Sequence, residues 1–375
     1  MFRTIIFRRK TMCLYKIKLY LLATLLMLSL SCNAIIKMEN SGIENTTIYA
    51  AGYVVNNSGI KIPGYWKNDT WIELIANNQS RDSIVKSITI SGSDVYASGD
   101  NFNSSGIKLA GYWKNGIWID LTPLDIAKDS SVNCITVFDG NIYAGGYSKN
   151  SSNVSIPGYW KNETWEQLPS MTTFRDAEIE AIAITESDVF AAGFDTTTLG
   201  SRVARYWKNG IADSLTGIVG SNGGVVNALA VDNFDFYAAG INGNVAGVSV
   251  PVFWKNIQGE TLPTLDPDKD SWVYNILLYN SDIYITGAVL NGWDARVPGY
   301  WKNSNWYSLT PIIPNKDSEV FGITILNSDV YAAGYSLNED NVRVPGYWKN
   351  GEWHQLSQLD NTKDAVVDNI LIIQD

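Results

Sequence analysis

The sequence predicts an all-β chain closed into a seven-bladed β-propeller of 47-residue, four-stranded repeats, and three observations carry that prediction. The first is a strict period. The tryptophan of each Tyr-Trp-Lys-Asn or Phe-Trp-Lys-Asn segment recurs at Trp66, Trp113, Trp160, Trp207, Trp254, Trp301 and Trp348, a constant step of 47 residues. A glycine keeps the same step from Gly52 to Gly334, and an aliphatic residue keeps it from Ile88 to Ile370. The second is that each unit reads as short strands separated by turn residues. The third is the phase of the two ends. The ordered repeat begins at "TTIYAAGY", a second strand with no first, and ends at "AVVDNILIIQD", a first strand with no second. Residues 47–375 number 329, seven times 47, so the C-terminal strand completes the N-terminal blade and leaves no open sheet edge.

The copy that begins at Ser318 shows why each element forms. "SEVFGITI" (318–325) is β-branched and apolar, and "NSD" supplies a turn. "VYAAGY" (330–335) is the second strand, followed by the polar loop "SLNEDNVR". "VPGYWKN" (344–350) is the third strand, and a tight Asn-Gly turn leads into "EWHQL" (352–356). Such a two-residue turn needs positive φ, which suits Asn and Gly. The asparagine is present in all seven copies, even where the glycine is not. No segment past residue 31 has helical periodicity.

The repeat resembles a kelch repeat. The likeness rests on "YWKNETWEQLPSMTTFRDAEIEAIAI" (159–184) followed by "DVFAAG", and on the Gly145–Gly146 pair. The other copies carry Ala, Ser or Thr before a single Gly, which departs from the kelch pattern. The resemblance covers all seven units and implies an architecture in which the first strand of each blade is innermost; it implies no particular activity. A residue present in every blade is needed by the blade. Trp66 and its equivalents are therefore expected between neighbouring sheets, with Tyr65 on the opposite face and Lys67 at a solvated edge.

Residues 1–31 read as an export signal. Six basic residues flank and precede the apolar run "LYLLATLLMLSL" (19–30), too short for a comfortable membrane span. "SLSC" resembles a lipobox, so Cys32 is expected to carry lipid after cleavage, with residues 32–45 as a tether and 46–375 as the propeller. The alternative is ordinary cleavage after Ala34. Met12 would make a neater start than Met1. Localisation is then extracytoplasmic, on a membrane-anchored lipoprotein. Without residues 1–31 the chain has 22 basic and 38 acidic residues, a net charge of −16, which repels nucleic acid. Cys134 is the one cysteine outside the signal region, so no disulfide framework is expected. A single histidine, His354, cannot build a multi-histidine site, and neither metal nor cofactor is expected.

A ligand site is expected where the repeat differs from itself. Two columns on the first strands vary. One reads Ile84, Ser131, Glu178, Val225, Trp272, Glu319 and Val366; the other reads Lys86, Asn133, Glu180, Asn227, Tyr274, Phe321 and Asp368. The candidate binding residues are Trp272, Tyr274, Glu319, Phe321 and Asp368, joined by Trp293 and Asp294 from the loop "VLNGWDARV". Aromatic faces beside carboxylates suit a sugar or a cationic peptide segment. The competing reading is that these aromatics plug the channel as core. The functional expectation is a monomeric, non-enzymatic module that holds a glycan or a protein at the cell envelope. The alternative is a carbohydrate-active enzyme, for which the resemblance makes a periplasmic kelch-type sugar epimerase the nearest comparison, or a glycosidase using the carboxylates Glu178, Glu180, Glu319 and Asp368.

Overall fold

Strands a to d of the last blade are Ser318–Leu326, Asp329–Leu337, Arg343–Lys349 and Glu352–Gln355, antiparallel and adjacent in that order. The computed structural model describes residues 46–216, 223–232 and 235–374, and the same sheet recurs through them. The a strands of blades 2 to 6 are Ile84–Ser91, Ser130–Phe138, Glu178–Ile184, Gly224–Asp232 and Ser271–Tyr279. Blade 1 is composite, because Ala365–Gln374 pairs with Thr46–Val55, and Lys61–Lys67 and Thr70–Glu73 complete the sheet. The chain is therefore a seven-bladed propeller closed by its last strand. The expected export signal, Cys32 and the tether lie outside the described residues.

Each repeated residue now has a physical cause. The strand-c tryptophans are 0–1% exposed and pack against the preceding blade, as Trp66 does against Tyr331, Tyr347 and Leu356. Six of them also donate the indole N–H to a carbonyl just past strand d of that preceding blade, at 2.7–2.9 Å. The bond from Trp66 reaches Ser357 and so ties the first blade to the last. Trp254 lacks the bond, and its buried Nε1 has no partner among the described residues. The turn asparagines take φ of 46–56° in all seven copies. Their Oδ1 atoms also accept an N–H from the start of strand b, as Asn350 does from Val330 at 2.9 Å. The strand-c lysines are solvated, and each lies 4.9–5.5 Å from a strand-b Tyr or Phe ring.

Outer and third strands are matched in volume. In five blades an outer tryptophan (Trp71, Trp118, Trp165, Trp306, Trp353) packs against a strand-c glycine, where a Cβ would overlap the indole or the outer strand's backbone carbonyl. The two blades without that tryptophan have Ala212 and Gly259 instead, and there the strand-c glycine is replaced by Arg205 and Val252. Arg205 is held by Ser214 at 2.9 Å and by the fully buried Asp195 at 3.7 Å. Close packing demands one bulky group per pair and does not specify which strand supplies it.

The candidate binding channel

Blade seams and channel lining are set by two different features of strand a. At its entrance, a repeated acidic residue (Asp82, Asp129, Asp176, Asp270, Asp317, Asp364) accepts the N–H that opens strand c of the preceding blade, at 2.8–3.0 Å. These carboxylates therefore hold the ring together. Four residues further on, strand a carries a β-bulge. The pairing skips one residue in blades 2 to 7: Lys86, Asn133, Glu180, Asn227, Tyr274 and Phe321. A bulge re-aims its extra residue and tightens the local twist. It also presses the preceding carbonyl against strand b. A Cβ at Gly287 would overlap the carbonyl oxygen of Trp272, and all seven members of the repeated glycine series meet the same obstacle. The glycine is therefore repeated because the bulge is repeated.

The bulged residues and Asp368 of blade 1 together line one central cavity of about 570 Å³. This is the second variable column of the sequence in full. Its members are not equally engaged. Lys86 Nζ contacts Asp100 at 2.8 Å, Asn133 at 3.0 Å and Ser131 at 3.3 Å. The amides of Asn133 and Asn227 donate to the carbonyls of Ile179 and Val273, at 2.9 and 2.7 Å. Tyr274 and Phe321 meet as tilted rings 4.6 Å apart. Asp368 Oδ2 is buried without a hydrogen-bond partner, and Glu180 has none among the described residues.

Above the ring, the structure brings Trp272, Tyr274, Glu319 and Phe321 together around one buried carboxylate. Glu319 is 5% exposed and accepts from Arg296 and from Tyr335, each at 2.7 Å, as well as from the Tyr274 hydroxyl. Arg296 in turn lies 4.6 Å from the Trp272 ring. The Glu319 oxygens are thus satisfied internally, and this carboxylate braces the aromatic arc. Burial and the neighbouring Glu319 charge push the Tyr274 and Tyr335 hydroxyls well up from their ordinary value. Trp293 stands apart on the loop between strands b and c of blade 6, 79% exposed, and its neighbour Asp294 is paired with Lys269 at 2.6 Å.

Arg296 belongs to a column that the sequence reading missed. Lys61, Lys108, Ser155, Arg202, Ser249, Arg296 and Arg343 open strand c at the same step of 47, and five of the seven are basic. Comparing the repeat with itself at that position would have found them. All five lie over rings: Lys61 over Tyr53, Lys108 over Phe102, Arg202 over Phe194, Arg296 over Trp272 and Arg343 over Tyr335, at 4.1–5.8 Å. Lys108 pairs with Asp100 at 3.0 Å. Burial pushes the Asp100 carboxyl up, but Lys86 and Lys108 outweigh it and hold the group below its ordinary value.

The two unpartnered carboxyls both shift the opposite way from Asp100. Burial raises Glu180 to about 7, helped by the Glu178 charge and opposed by Lys86 and Arg202. Burial raises Asp368 to about 7 as well, helped by Asp100 and opposed by Lys61, Lys86 and Arg343. A carboxyl whose folded value exceeds its unfolded one stabilises the fold in its neutral form, so the contribution is complete below about pH 4 and is lost as pH rises through about 7. Urea midpoints are therefore expected to imply a stability lower at pH 8 than at pH 5, by on the order of 2 kcal/mol for each of the two groups. Asp368→Asn should remove much of that slope. The depressed Asp100 acts with the opposite sign, but its contribution is lost only at more acidic pH and leaves this window unaffected.

Among the described residues no group of three or more His, Cys, Asp or Glu is placed to hold a metal ion. No family model matches the chain, and no curated protein matches it. Solved structures do resemble it. A puromycin-hydrolyzing peptidase of Mycobacterium tuberculosis superposes with a TM-score of 0.52 at 8% identity, over 82% of this chain and 52% of that one. The chain thus spans about half of that peptidase. YjhT gives a TM-score of 0.42 at 11% identity, over 75% of this chain and 96% of its own. AofleA from Arthrobotrys oligospora gives 0.43 at 10% identity, over 76% and 87%. At such identities the likeness concerns the fold.

Proposed function

We propose that this chain is an extracytoplasmic binding protein, lipid-anchored through Cys32, that receives a glycan at its channel mouth. The observation that carries this reading is the central ring. Seven equivalent positions carry six different side chains around one cavity of about 570 Å³, while the strand-b glycine and the strand-c Trp-Lys-Asn are the same in all seven copies. A scaffold role would call for the same residue at each position, and the volume is that of a small-ligand site. Tyr274 and Phe321 offer ring faces to a sugar, with Trp272 and Arg296 at the mouth.

The test is a glycan array probed with the purified protein and with its Phe321→Ala and Trp272→Ala variants, each first checked for an unchanged thermal midpoint. A stacked aromatic contact is worth about 0.5–1.5 kcal/mol, so roughly a 2- to 12-fold loss of affinity is expected from either change. Glycans held equally well by all three proteins would move the site away from the channel. If nothing binds, the glycan class fails and a protein partner replaces it.

A second reading, carbohydrate-active chemistry, is favoured by one observation. Glu180 and Asp368 line the same cavity and are both raised to about 7, the range in which a carboxyl can act as acid or base. Any glycan that binds should therefore be followed by proton NMR for cleavage or inversion, with Glu180→Gln as the control.

A further inference from the structure

The donors and acceptors around the channel are unevenly satisfied, and the imbalance bears on what the cavity can hold. An ammonium has three N–H donors, and those of Lys86 face Asp100, Asn133 and Ser131. The Tyr274 hydroxyl donates to Glu319. The amides of Asn133 and Asn227 are each anchored on a backbone carbonyl. On the acceptor side, Asp368 Oδ2 is buried without a partner, and Glu180 makes no hydrogen bond among the described residues. The ammonium that lines this cavity, Lys86, is thus already engaged by its neighbours, while two of the lining carboxyls are not.

Resting on the reading of the channel as the glycan site, we propose that the bound sugar carries a free, protonated amine, which enters the ring that Glu180, Asp368, Tyr274 and Phe321 line. An ammonium has donors and no acceptor, so it complements unpartnered carboxylates where a neutral hydroxyl would leave their charge uncompensated. The aromatic pair adds cation–π attraction. Lys86 does not already fill this role, because Asp100 holds it.

The proposal has a proton signature. In the free protein both carboxyls are raised to about 7, with Glu178, Lys86 and Arg202 facing Glu180, and Lys61, Lys86, Asp100 and Arg343 facing Asp368. A bound cation favours their ionised forms, so binding releases protons at about pH 6 and tightens towards pH 7; above that the sugar amine itself loses its proton, at about 7–8, and affinity falls again.

The experiment is calorimetric titration of the purified protein with glucosamine, N-acetylglucosamine and glucose, and with Nα-acetyl-lysine amide as a peptide amine. Two buffers of different ionisation enthalpy would be used at each pH. Glucosamine is expected to bind about 10- to 100-fold more tightly than the two neutral sugars at about pH 7, the gain of a charge-assisted hydrogen bond, with net proton release at about pH 6. Glu180→Gln and Asp368→Asn should lower the ratio of glucosamine to glucose affinity, a readout in which any general loss of sugar binding cancels, and both are near-isosteric changes that a thermal melt can verify as folded. Equal binding of the three sugars would overturn the amine while leaving the channel as a glycan site. Binding of the lysine derivative alone would overturn both the amino sugar and the glycan reading. No binding of any probe would overturn the amine assignment, and the array then decides separately whether the channel is a glycan site.

Discussion

A chain that stops at Asp364 is expected to lose the cooperative native state. The missing segment, Ala365–Gln374, is strand a of blade 1, and Ala365, Val366, Val367 and Ile370 are 0–4% exposed within it. Burying each of the three larger aliphatics contributes roughly 1.5–3 kcal/mol. With the ladder to Thr46–Val55 also gone, the loss reaches the whole stability of an ordinary domain, about 5–15 kcal/mol. The truncated chain would also expose strand b of blade 1 along a free edge, which invites aggregation. Size-exclusion chromatography and calorimetry should show soluble aggregate with no sharp melting transition. A permuted chain with residues 365–374 placed directly before Thr46 should fold as a monomer, because it supplies the strand without the ring-spanning clasp. If the truncated protein melted normally, the closure described above would be wrong.

The strand-c tryptophans give the second large effect, and they divide in a way that tests the seam. Trp301→Ala removes an indole that is 0% exposed, and a change of this kind costs about 3–5 kcal/mol. Trp301→Phe keeps most of the packing but strands the Pro263 carbonyl, which now receives the indole N–H at 2.7 Å; that should cost about 1–3 kcal/mol. Trp254→Phe should lie within about 0.5 kcal/mol of the parent, since its buried N–H has no partner among the described residues and nothing is orphaned by its removal. Urea denaturation of the three variants separates the terms. Equal costs for the two phenylalanine variants would show that the interblade hydrogen bond contributes nothing measurable.

The same seam breaks a second rule. Where six blades open with a basic–acidic pair, blade 5 has Asn222 and Gly223, so the carboxylate that clasps the preceding strand c is missing there. Both interruptions fall between blades 4 and 5, the two blades in which Arg205 and Val252 replace the strand-c glycine. Divergence has gathered at one joint, while the joint that closes the ring keeps both contacts, from Trp66 to Ser357 and from Arg343 to Asp364.

The sequence by itself determined the blade number, the strand order and the closure, because a fixed period of 47 forces every copy to make the same contacts with its neighbour. It also marked the second variable column, whose seven members line the cavity. Only the tertiary structure decided what those residues are free to do. Glu319 looked like an open acceptor along the chain, yet Arg296 from the preceding blade and Tyr335 from its own sheet already hold it. Asp368 looked similar and has a buried oxygen with no partner. The repeated glycine was legible as a landmark, but its cause, a carbonyl thrust outward by a bulge, was not. The physical reason is common to all three. Periodicity reports what every blade needs, whereas the satisfaction of a donor or acceptor depends on atoms that meet across strands and across seams, between residues 16 to 47 positions apart in the chain.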